Sequence, residues 1–452
     1  MKKPRISVIG TGYVGLCTAV AFAEKGYSVI AADTDIIKIN KISQGIPPFH
    51  EPNLETLLKR TIRKGLLQST SKTEEAVKQT DITFVTVGTP SKRDGSINLH
   101  YVYSAVGSIG KALKQKETYH LVIIKSTVIP GTTQEKLKPI LETETGRTSG
   151  SDFGLCTNPE FLRQGSAIQD TLQPDRIIIG EYDKRSGDIL FDFYKDIYAE
   201  KMPPTIRTSL STAELIKYAN NSMLATKISF INTIANISEK IPGADVKTVA
   251  TAIGLDKRIS PLFLNAGIGY GGSCFPKDLK ALIASSKNLR YQPTLLEAVE
   301  KVNKTQPQRA IQLCKKKLGN LSKKNIAILG LAFKPDTDDM REAKAIPIIN
   351  QLLKEGAKIT AYDPAARSTA KAIFKDKIKY ALSATECLRN ADCAIIVTEW
   401  KEFKELKPED FTKNMRRPLV IDGRRIYNQQ EFSQKLEFQA IGLGHASKEN
   451  IG

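Results

Sequence analysis

The chain is poor in the residues that build metal centres and disulfide scaffolds, with four histidines and six cysteines among 452 residues. His50, His100, His120 and His445 show no ligand spacing, so no metal site is expected and each reads as an ordinary surface or core residue. Cys17, Cys156, Cys274, Cys314, Cys387 and Cys393 are scattered, which argues against a disulfide framework or a CxxC metal pattern and fits reduced thiols in a cytosol. No run of about 18 apolar residues without charge occurs, so no segment is expected to span a bilayer. The opening MKKPRISVIG is basic and then apolar, as in a signal peptide, but Gly10, Gly12 and Gly15 interrupt the run. It reads better as a first β-strand, and a cytoplasmic location is expected. No period of 20 to 50 residues recurs, and the final HASKENIG reads as a frayed tail.

What is present is ordinary in amount, with 41% hydrophobic and 25% charged residues, as in soluble globular proteins. The length exceeds the size at which one core stops growing, so two or three domains are expected. Lys and Arg outnumber Asp and Glu by 67 to 48, a net charge of +19. Such a charge fits nucleic acid, an anionic membrane or anionic small molecules as partners. No basic block is interleaved with aromatics, and clusters such as Lys315, Lys316, Lys317 and Lys323, Lys324 read as helix ends and turns. A solvated basic surface is therefore preferred, with part of the excess attracting phosphates and with neither nucleic acid nor membrane as partner.

Periodicity divides the chain in three. RISVIG, SVIAA, DITFVTVG, HLVIIKSTV and RIIIG are short apolar runs separated by helical patterns near residues 13–25 and 102–114, which predicts a parallel, doubly wound sheet over 1–205. From Ser211 the sequence is apolar at helical spacing without Pro or Gly, with Ser211 as the expected N-cap and Glu214 three residues on. A helical region is expected over 206–315, broken only by the glycine-rich segment 267–274, and its long helix could bury against a twin subunit. KNIAILGLAFKP, a helix near 344–355, KITAYDP, CAIIVTEW and PLVIDGRR predict a second α/β domain over 316–452. The fold class is thus α/β, two Rossmann-like doubly wound domains joined by a long central helix and helical region.

Gly10-Thr11-Gly12-Tyr13-Val14-Gly15 directly follows the first strand and opens the first helix, where a GxGxxG allows a tight turn and close approach of a pyrophosphate to a helix N-terminus. Asp33 ends the second strand, placed to accept hydrogen bonds from an adenosine ribose and to repel a 2′-phosphate, so NAD is favoured over NADP. In GIGYGGSCFPKD, glycines surround Cys274, and Asp278 lies one helical turn beyond it. Lys277 and a helix N-terminus nearby favour a thiolate, although a free cysteine taken alone is more often an inert small hydrophobe. Lys217 and Asn221 are four apart on the long helix, and Asn158-Pro159-Glu160-Phe161-Leu162-Arg163 places a carboxylate at a rigid turn. Each is unremarkable by itself. Together, NAD, a thiol, a lysine, an amide and two carboxylates equip a site for oxidation through a thioester.

With these motifs in order, and with VTVGTP, KSTVIPGTT, NPEFLRQGSAIQD, PDRIIIG, ELIKYANN and LGLAFKPDTDDMRE, nearly the whole chain resembles the UDP-glucose 6-dehydrogenase family, within the nucleotide-sugar 6-dehydrogenases. The resemblance implies an N-terminal NAD-binding domain, a central region forming a homodimer and a C-terminal UDP-binding domain. It implies Cys274 as the nucleophile at C6, Lys217 and Asn221 as oxyanion stabilisers, and Asp278, Thr127 and Glu160 as groups that position or activate water and protons. Two NAD⁺ would be used per sugar. Cofactor contacts implied beyond the glycine turn are Asp33, Lys38, Thr89, Thr127 and Lys277. Substrate contacts implied are Glu160, Phe161, Leu162, Lys217, Asn221, Arg258, Phe263, Asn265, Gly269, Lys334 and Arg424.

The sequence departs from the family pattern at Gln164, where a glutamate is usual, and at Ser260-Pro261, where a glycine is common. Relatives acting on N-acetylated UDP-sugars carry a histidine where Ser273 stands, which favours glucose. GDP-mannose or a UDP-N-acetylhexosamine remains an alternative substrate, and a non-enzymatic nucleotide or nucleic-acid binding protein is the alternative outside enzymes.

Overall fold

Most of the strands are short runs rich in Val, Ile, Leu and Ala, too short for a helix and apolar on both faces, whereas the edge strands Leu67–Thr70, Thr205–Ser209 and Lys379–Tyr380 are polar and partly exposed. In the computed structural model, which describes residues 3–444, the chain divides into two units, 1–220 and 221–452. The tail 445–452, with His445 and the expected fraying, lies outside the described residues.

The first unit holds β1 (Ile6–Ile9), β2 (Val29–Ala32), β3 (Leu67–Thr70), β4 (Ile82–Val85), β5 (Leu121–Ile124), β6 (Gly154–Thr157), β7 (Ile177–Glu181) and β8 (Thr205–Ser209). Their order is β3-β2-β1-β4-β5-β6-β7-β8, with Ile6 opposite both Val29 and Ile82. Side chains alternate between two cores, as the pleat requires: Ile6, Val8, Phe84 and Ile123 join one, while Ile9, Val85, Val122 and Ile124 join the other. The first six strands are parallel, but β7 runs antiparallel to β6 and β8 follows β7. Only the six-residue helix Ala167–Leu172, about 9 Å long at 1.5 Å per residue, lies between β6 and β7. That is too short for a parallel crossover, whereas the 15-residue helix Lys184–Tyr198 carries β7 to β8 in parallel.

The second unit repeats the plan with β9 (Asn325–Leu329), β10 (Lys358–Tyr362), β11 (Lys379–Tyr380), β12 (Cys393–Ile396), β13 (Leu419–Asp422) and β14 (Glu437–Ala440). The order is β11-β10-β9-β12-β13-β14, all parallel.

The long helix runs Leu210–Ser238, and two expectations about it change. Ser211 is not its cap, because β8 passes straight into the helix and Ser209 Oγ accepts the Thr212 N–H at 3.3 Å. Glu214 is not part of a capping box either. Its buried carboxylate accepts the Gly131 and Thr133 N–H groups at 2.6 and 2.9 Å, satisfying orphan donors at the start of another helical segment. The helical middle is also more interrupted than expected: Val246–Gly254 and Phe275–Asn288 are separated by the non-helical stretch 255–274. Ser260 and Phe263 hold φ of 64° and 65° there, a conformation no α-helix accommodates. The left-handed Ser260 explains why glycine suits that position, and Lys227 Nζ donates to the Ile259 and Ser260 carbonyls at 2.9 and 3.2 Å. Among the described residues no helix is long and apolar enough to cross a membrane.

Candidate active site

The glycine turn of the first unit combines self-contact with open access. Gly10 has φ +100°, and a Cβ on it would stand 2.9 Å from Val87 Cα. A Cβ on Gly15 would lie 1.8 Å from the Gly10 carbonyl oxygen and 2.5 Å from Thr86 Oγ1, so only glycine lets the helix Tyr13–Glu24 approach the strand end. Gly12 differs: a Cβ there meets nothing within 4 Å, which leaves the backbone approachable. No acidic residue lies in the first turn of this helix, so its positive end is uncompensated. Asp33 Oδ2 accepts the Thr11 N–H and hydroxyl at 2.8 and 2.9 Å, and its Oδ1 accepts the Asp35 N–H at 3.0 Å. Lys38 Nζ stands 4.0 Å from the same carboxylate. This cradle fits a dinucleotide pyrophosphate and ribose. The Tyr13 hydroxyl bonds Glu51 and accepts the Gly165 N–H at 2.8 Å. Val14 is half-buried in the first turn, Thr89 is buried, and Thr127 is half-buried just past β5.

A second constellation of this unit joins Glu160 to Lys217. Lys217 Nζ donates to Glu160 Oε1 at 2.9 Å and to the Glu160 carbonyl at 2.6 Å, both side chains being buried. Burial alone would raise the Glu160 pKa, but the Lys217 charge and hydrogen bond, the Leu162 N–H at 2.5 Å and the Lys125 charge outweigh it, and the carboxyl is held below its ordinary range. Phe161 lies under the Arg176 guanidinium at 3.9 Å, with Lys217 Nζ 5.3 Å from its ring centroid. Leu162 is half-buried beside them.

Sequence reasoning missed Lys125. Its Nζ donates to Asn158 Oδ1 at 2.9 Å, and the Tyr194 hydroxyl donates to that same oxygen at 2.5 Å. Burial, offset in part by Glu160, pushes the lysine down to about 8. The signal was a lysine closing the apolar run HLVIIK, where a buried cation needs a partner. His120, buried between Thr83 Oγ1 at 2.7 Å and Lys116 Nζ at 3.1 Å, is pushed down to about 3 by burial and then by the lysine. It is a neutral core residue.

The six cysteines, two in the first unit and four in the second, separate by exposure. Cys17, Cys156, Cys314, Cys387 and Cys393 are buried, and the exposed one is Cys274. It is the N-cap of the helix Phe275–Asn288, with Pro276 in the first turn, and the Asp278 N–H donates to its carbonyl at 2.8 Å. A thiol at a helix N-terminus sits in the positive potential that favours thiolate. Asp278 is buried and holds two donors, Asn221 Nδ2 and Lys277 Nζ, each at 2.6 Å. The Ser273 hydroxyl lies 3.6 Å from the Cys274 sulfur.

The glycine segment before the thiol is held by amides. Asn232 Oδ1 accepts the Gly267 N–H at 2.8 Å, and Asn303 brackets Tyr270 through its N–H at 2.8 Å and its carbonyl at 3.1 Å. Arg424 donates to the Gly269 and Val397 carbonyls at 3.0 and 2.6 Å. The Phe263 ring lies 6.1 Å from that of Phe275, and Lys334 Nζ stands 5.9 Å from the Phe333 ring centroid. Within each unit the structure therefore groups Glu160, Phe161 and Lys217, then Cys274, Lys277, Asp278 and Asn221, and then Gly269 and Arg424. Arg258 and Asn265 stand apart as exposed residues, the Arg258 guanidinium lying 2.6 Å from Asp256.

Models of the UDP-glucose/GDP-mannose dehydrogenase family match in three parts: the NAD binding domain over residues 4–199, the central domain over 211–305 and the UDP binding domain over 327–429. The UDP-glucose 6-dehydrogenase AglM of Haloferax volcanii is 43% identical over 427 residues, 94% of this chain and 98% of the relative. YwqF of Bacillus subtilis, also a UDP-glucose 6-dehydrogenase, is 42% identical over 446 residues, 97% of each chain. The solved structure of a UDP-glucose dehydrogenase from Pyrobaculum islandicum matches with a TM-score of 0.90 at 37% identity, covering 98% of both chains.

Proposed function

Because the chain belongs to the UDP-glucose/GDP-mannose dehydrogenase family and carries its NAD-binding domain, we propose that it oxidises the C6 alcohol of UDP-glucose to the carboxylate of UDP-glucuronate, with Cys274 as covalent catalyst. The observation that carries this reading is the thiol itself: exposed, at a helix N-terminus, one turn from a carboxylate gripped by an amide and a lysine. The match to a UDP binding domain favours a UDP-sugar over a GDP-sugar.

NAD⁺ supplies the hydride acceptor at each of two oxidations. The chain's groups do the rest. Once the alcohol has become an aldehyde, the Cys274 thiolate adds to C6 and the new oxyanion takes a proton, giving a thiohemiacetal. Loss of the C6 hydride and that proton leaves a thioester, and water then expels the thiolate to give the carboxylate. In sum, one alcohol, one water and two NAD⁺ give one carboxylate, two NADH and three protons. Lys217 and Asn221, one turn apart on one helix, are assigned to the oxygen of C6, where fixed donors stabilise developing charge. Glu160, kept ionised, Thr127 and Asp278 are assigned to protons and water. Gly10, Gly12, Tyr13, Val14, Gly15, Asp33, Lys38, Thr89 and Lys277 are assigned to the cofactor, and Phe161, Leu162, Arg258, Phe263, Asn265, Gly269, Lys334 and Arg424 to the sugar nucleotide.

With UDP-glucose the expected yield is two NADH per sugar. Cys274→Ser is expected to abolish steady turnover while NAD⁺ affinity stays unchanged. Full turnover in that variant would overturn the mechanism, and absence of NADH with every nucleotide sugar alongside salt-sensitive DNA binding would overturn the enzyme reading.

A homodimer is proposed through the long helix. Leu215, Met223, Phe230 and Ile237 recur at spacings of seven or eight and are 47 to 59% exposed. Such an apolar stripe on a helix calls for a partner surface. Sedimentation is expected to give twice the 49.9 kDa chain mass, and Phe230→Glu to give the monomer. A monomeric unaltered chain refutes the dimer.

A further inference from the structure

One buried cation of the second unit has no role in this reading. Lys344 is 7% exposed and is the N-cap of the ten-residue helix Ala345–Lys354. Its Cε lies 3.3 Å from where a Cβ on Gly269 would stand, and the Gly269 carbonyl is the one Arg424 holds at 3.0 Å. Among the described residues the Lys344 ammonium makes no hydrogen bond and no ion pair.

Three charged groups face it: Glu342, Lys280 and Arg424. Glu342 is 3.2 Å from Lys280, and Arg424 is 3.3 Å from Glu399, so the single nearby carboxylate is already shared with another cation. The helix N-terminus adds positive potential where lysine is the wrong sign. Burial, only partly offset by Glu342, pushes the amine down to about 8. An ammonium placed so is poorly stabilised by its own protein, and an anion answers every one of these unfavourable terms.

We propose that Lys344 is a phosphate-binding residue of the second unit, acting with Arg424 on the diphosphate of the sugar nucleotide, an inference that rests on the nucleotide-sugar reading above. Because the bound anion favours the ammonium form, UDP binding draws a proton onto Lys344 once the pH exceeds about 8, and affinity falls as pH rises through that value.

The test is calorimetric titration of UDP, and of uridine as the phosphate-free control, into the full chain at pH 7 and pH 9. The unaltered chain is expected to bind UDP about tenfold more weakly at pH 9 than at pH 7. Lys344→Met is expected to weaken UDP about tenfold or more at pH 7, as loss of one charge-assisted contact does, and to remove the pH dependence. Its uridine and NAD⁺ affinities should be unchanged, which also shows that the variant is folded. Lys344→Arg, with a charge that does not titrate here, should bind equally at both pH values. Lys344→Met binding UDP as tightly as the unaltered chain, with the same pH response, overturns the proposal. An unaltered chain that does not bind UDP at all overturns the nucleotide-sugar reading itself.

Discussion

Both sheets place their first six strands in the same order, and in both an aspartate just past the second strand grips the turn after the first. Gly10 and Gly330 even share a left-handed backbone, with φ of 100° and 103°. Beyond that the turns diverge. In the first unit the helix begins three residues after Gly10, and Gly12 leaves its backbone open. In the second, Ala332 takes the corresponding place, and residues 331–344 intervene before the helix Ala345–Lys354. Asp33 is half-buried with three donors, whereas buried Asp363 accepts five: Leu331, Ala332, Ala365 and Ala366 N–H groups and the Trp400 indole. On the reading proposed above, one topology serves two modes of anion recognition. The first unit offers bare backbone and a helix end, which suit a dinucleotide pyrophosphate. The second saturates its aspartate internally and presents the side chains Lys334, Lys344 and Arg424 instead.

The largest effect that would break this comparison comes from exchanging the glycine chemistry. Gly15→Val puts a side chain 1.8 Å from the Gly10 carbonyl oxygen, where neither backbone can yield. It is expected to abolish NAD⁺ binding and to cost more than about 4 kcal/mol of stability. The reverse change in the other turn, Ala332→Gly, is expected to cost only about 1 kcal/mol through chain entropy and to leave NAD⁺ affinity alone. Titration of NAD⁺ and denaturant unfolding of both variants decide it. Equal losses of NAD⁺ binding would mean that the two turns are not functionally distinct.

Much of this difference is legible in the sequence. The glycine turn and Asp33 are read from a local pattern, because a βαβ unit fixes their geometry within about 30 residues. The thiol segment is legible for the same reason, since Cys274, Lys277 and Asp278 fall within one helical turn. What escapes is long-range. Glu214 looks like half of a capping box, yet it serves N–H groups 81 and 83 residues earlier in the chain. Ser260 and Phe263 carry no sign of left-handed backbone, being residue types that rarely adopt it, so the break before the thiol helix comes out too short. The reversal at β7 depends on a helix that is six residues long rather than ten, a boundary that periodicity does not resolve. Lys125 and Lys344 are lysines in the interior, against the compositional rule for that residue.

A smaller effect sharpens the comparison at the two aspartates. Removing the Asp363 carboxylate strands four backbone N–H groups and an indole in the interior, and an unsatisfied buried donor costs about 1 to 3 kcal/mol. Some of these groups can relax toward water, so Asp363→Ala is expected to cost about 3 kcal/mol in unfolding free energy. NAD⁺ affinity, a property of the other unit, should not move beyond the change in folded fraction. Asp33→Ala removes the acceptor of the buried Thr11 N–H and hydroxyl and of the Asp35 N–H, but the Asp33 side chain itself reaches solvent, so water can enter the space it leaves, and about 1 kcal/mol is expected. Its larger consequence is in recognition: NAD⁺ should weaken about tenfold, and the preference for NAD⁺ over NADP⁺ should narrow because the carboxylate that repels a 2′-phosphate is gone. Stability and cofactor affinity therefore separate in opposite directions for the two aspartates. If Asp33→Ala instead costs as much stability as Asp363→Ala and leaves cofactor selectivity intact, the first carboxylate is a structural clamp like the second, and the contrast drawn between the units fails.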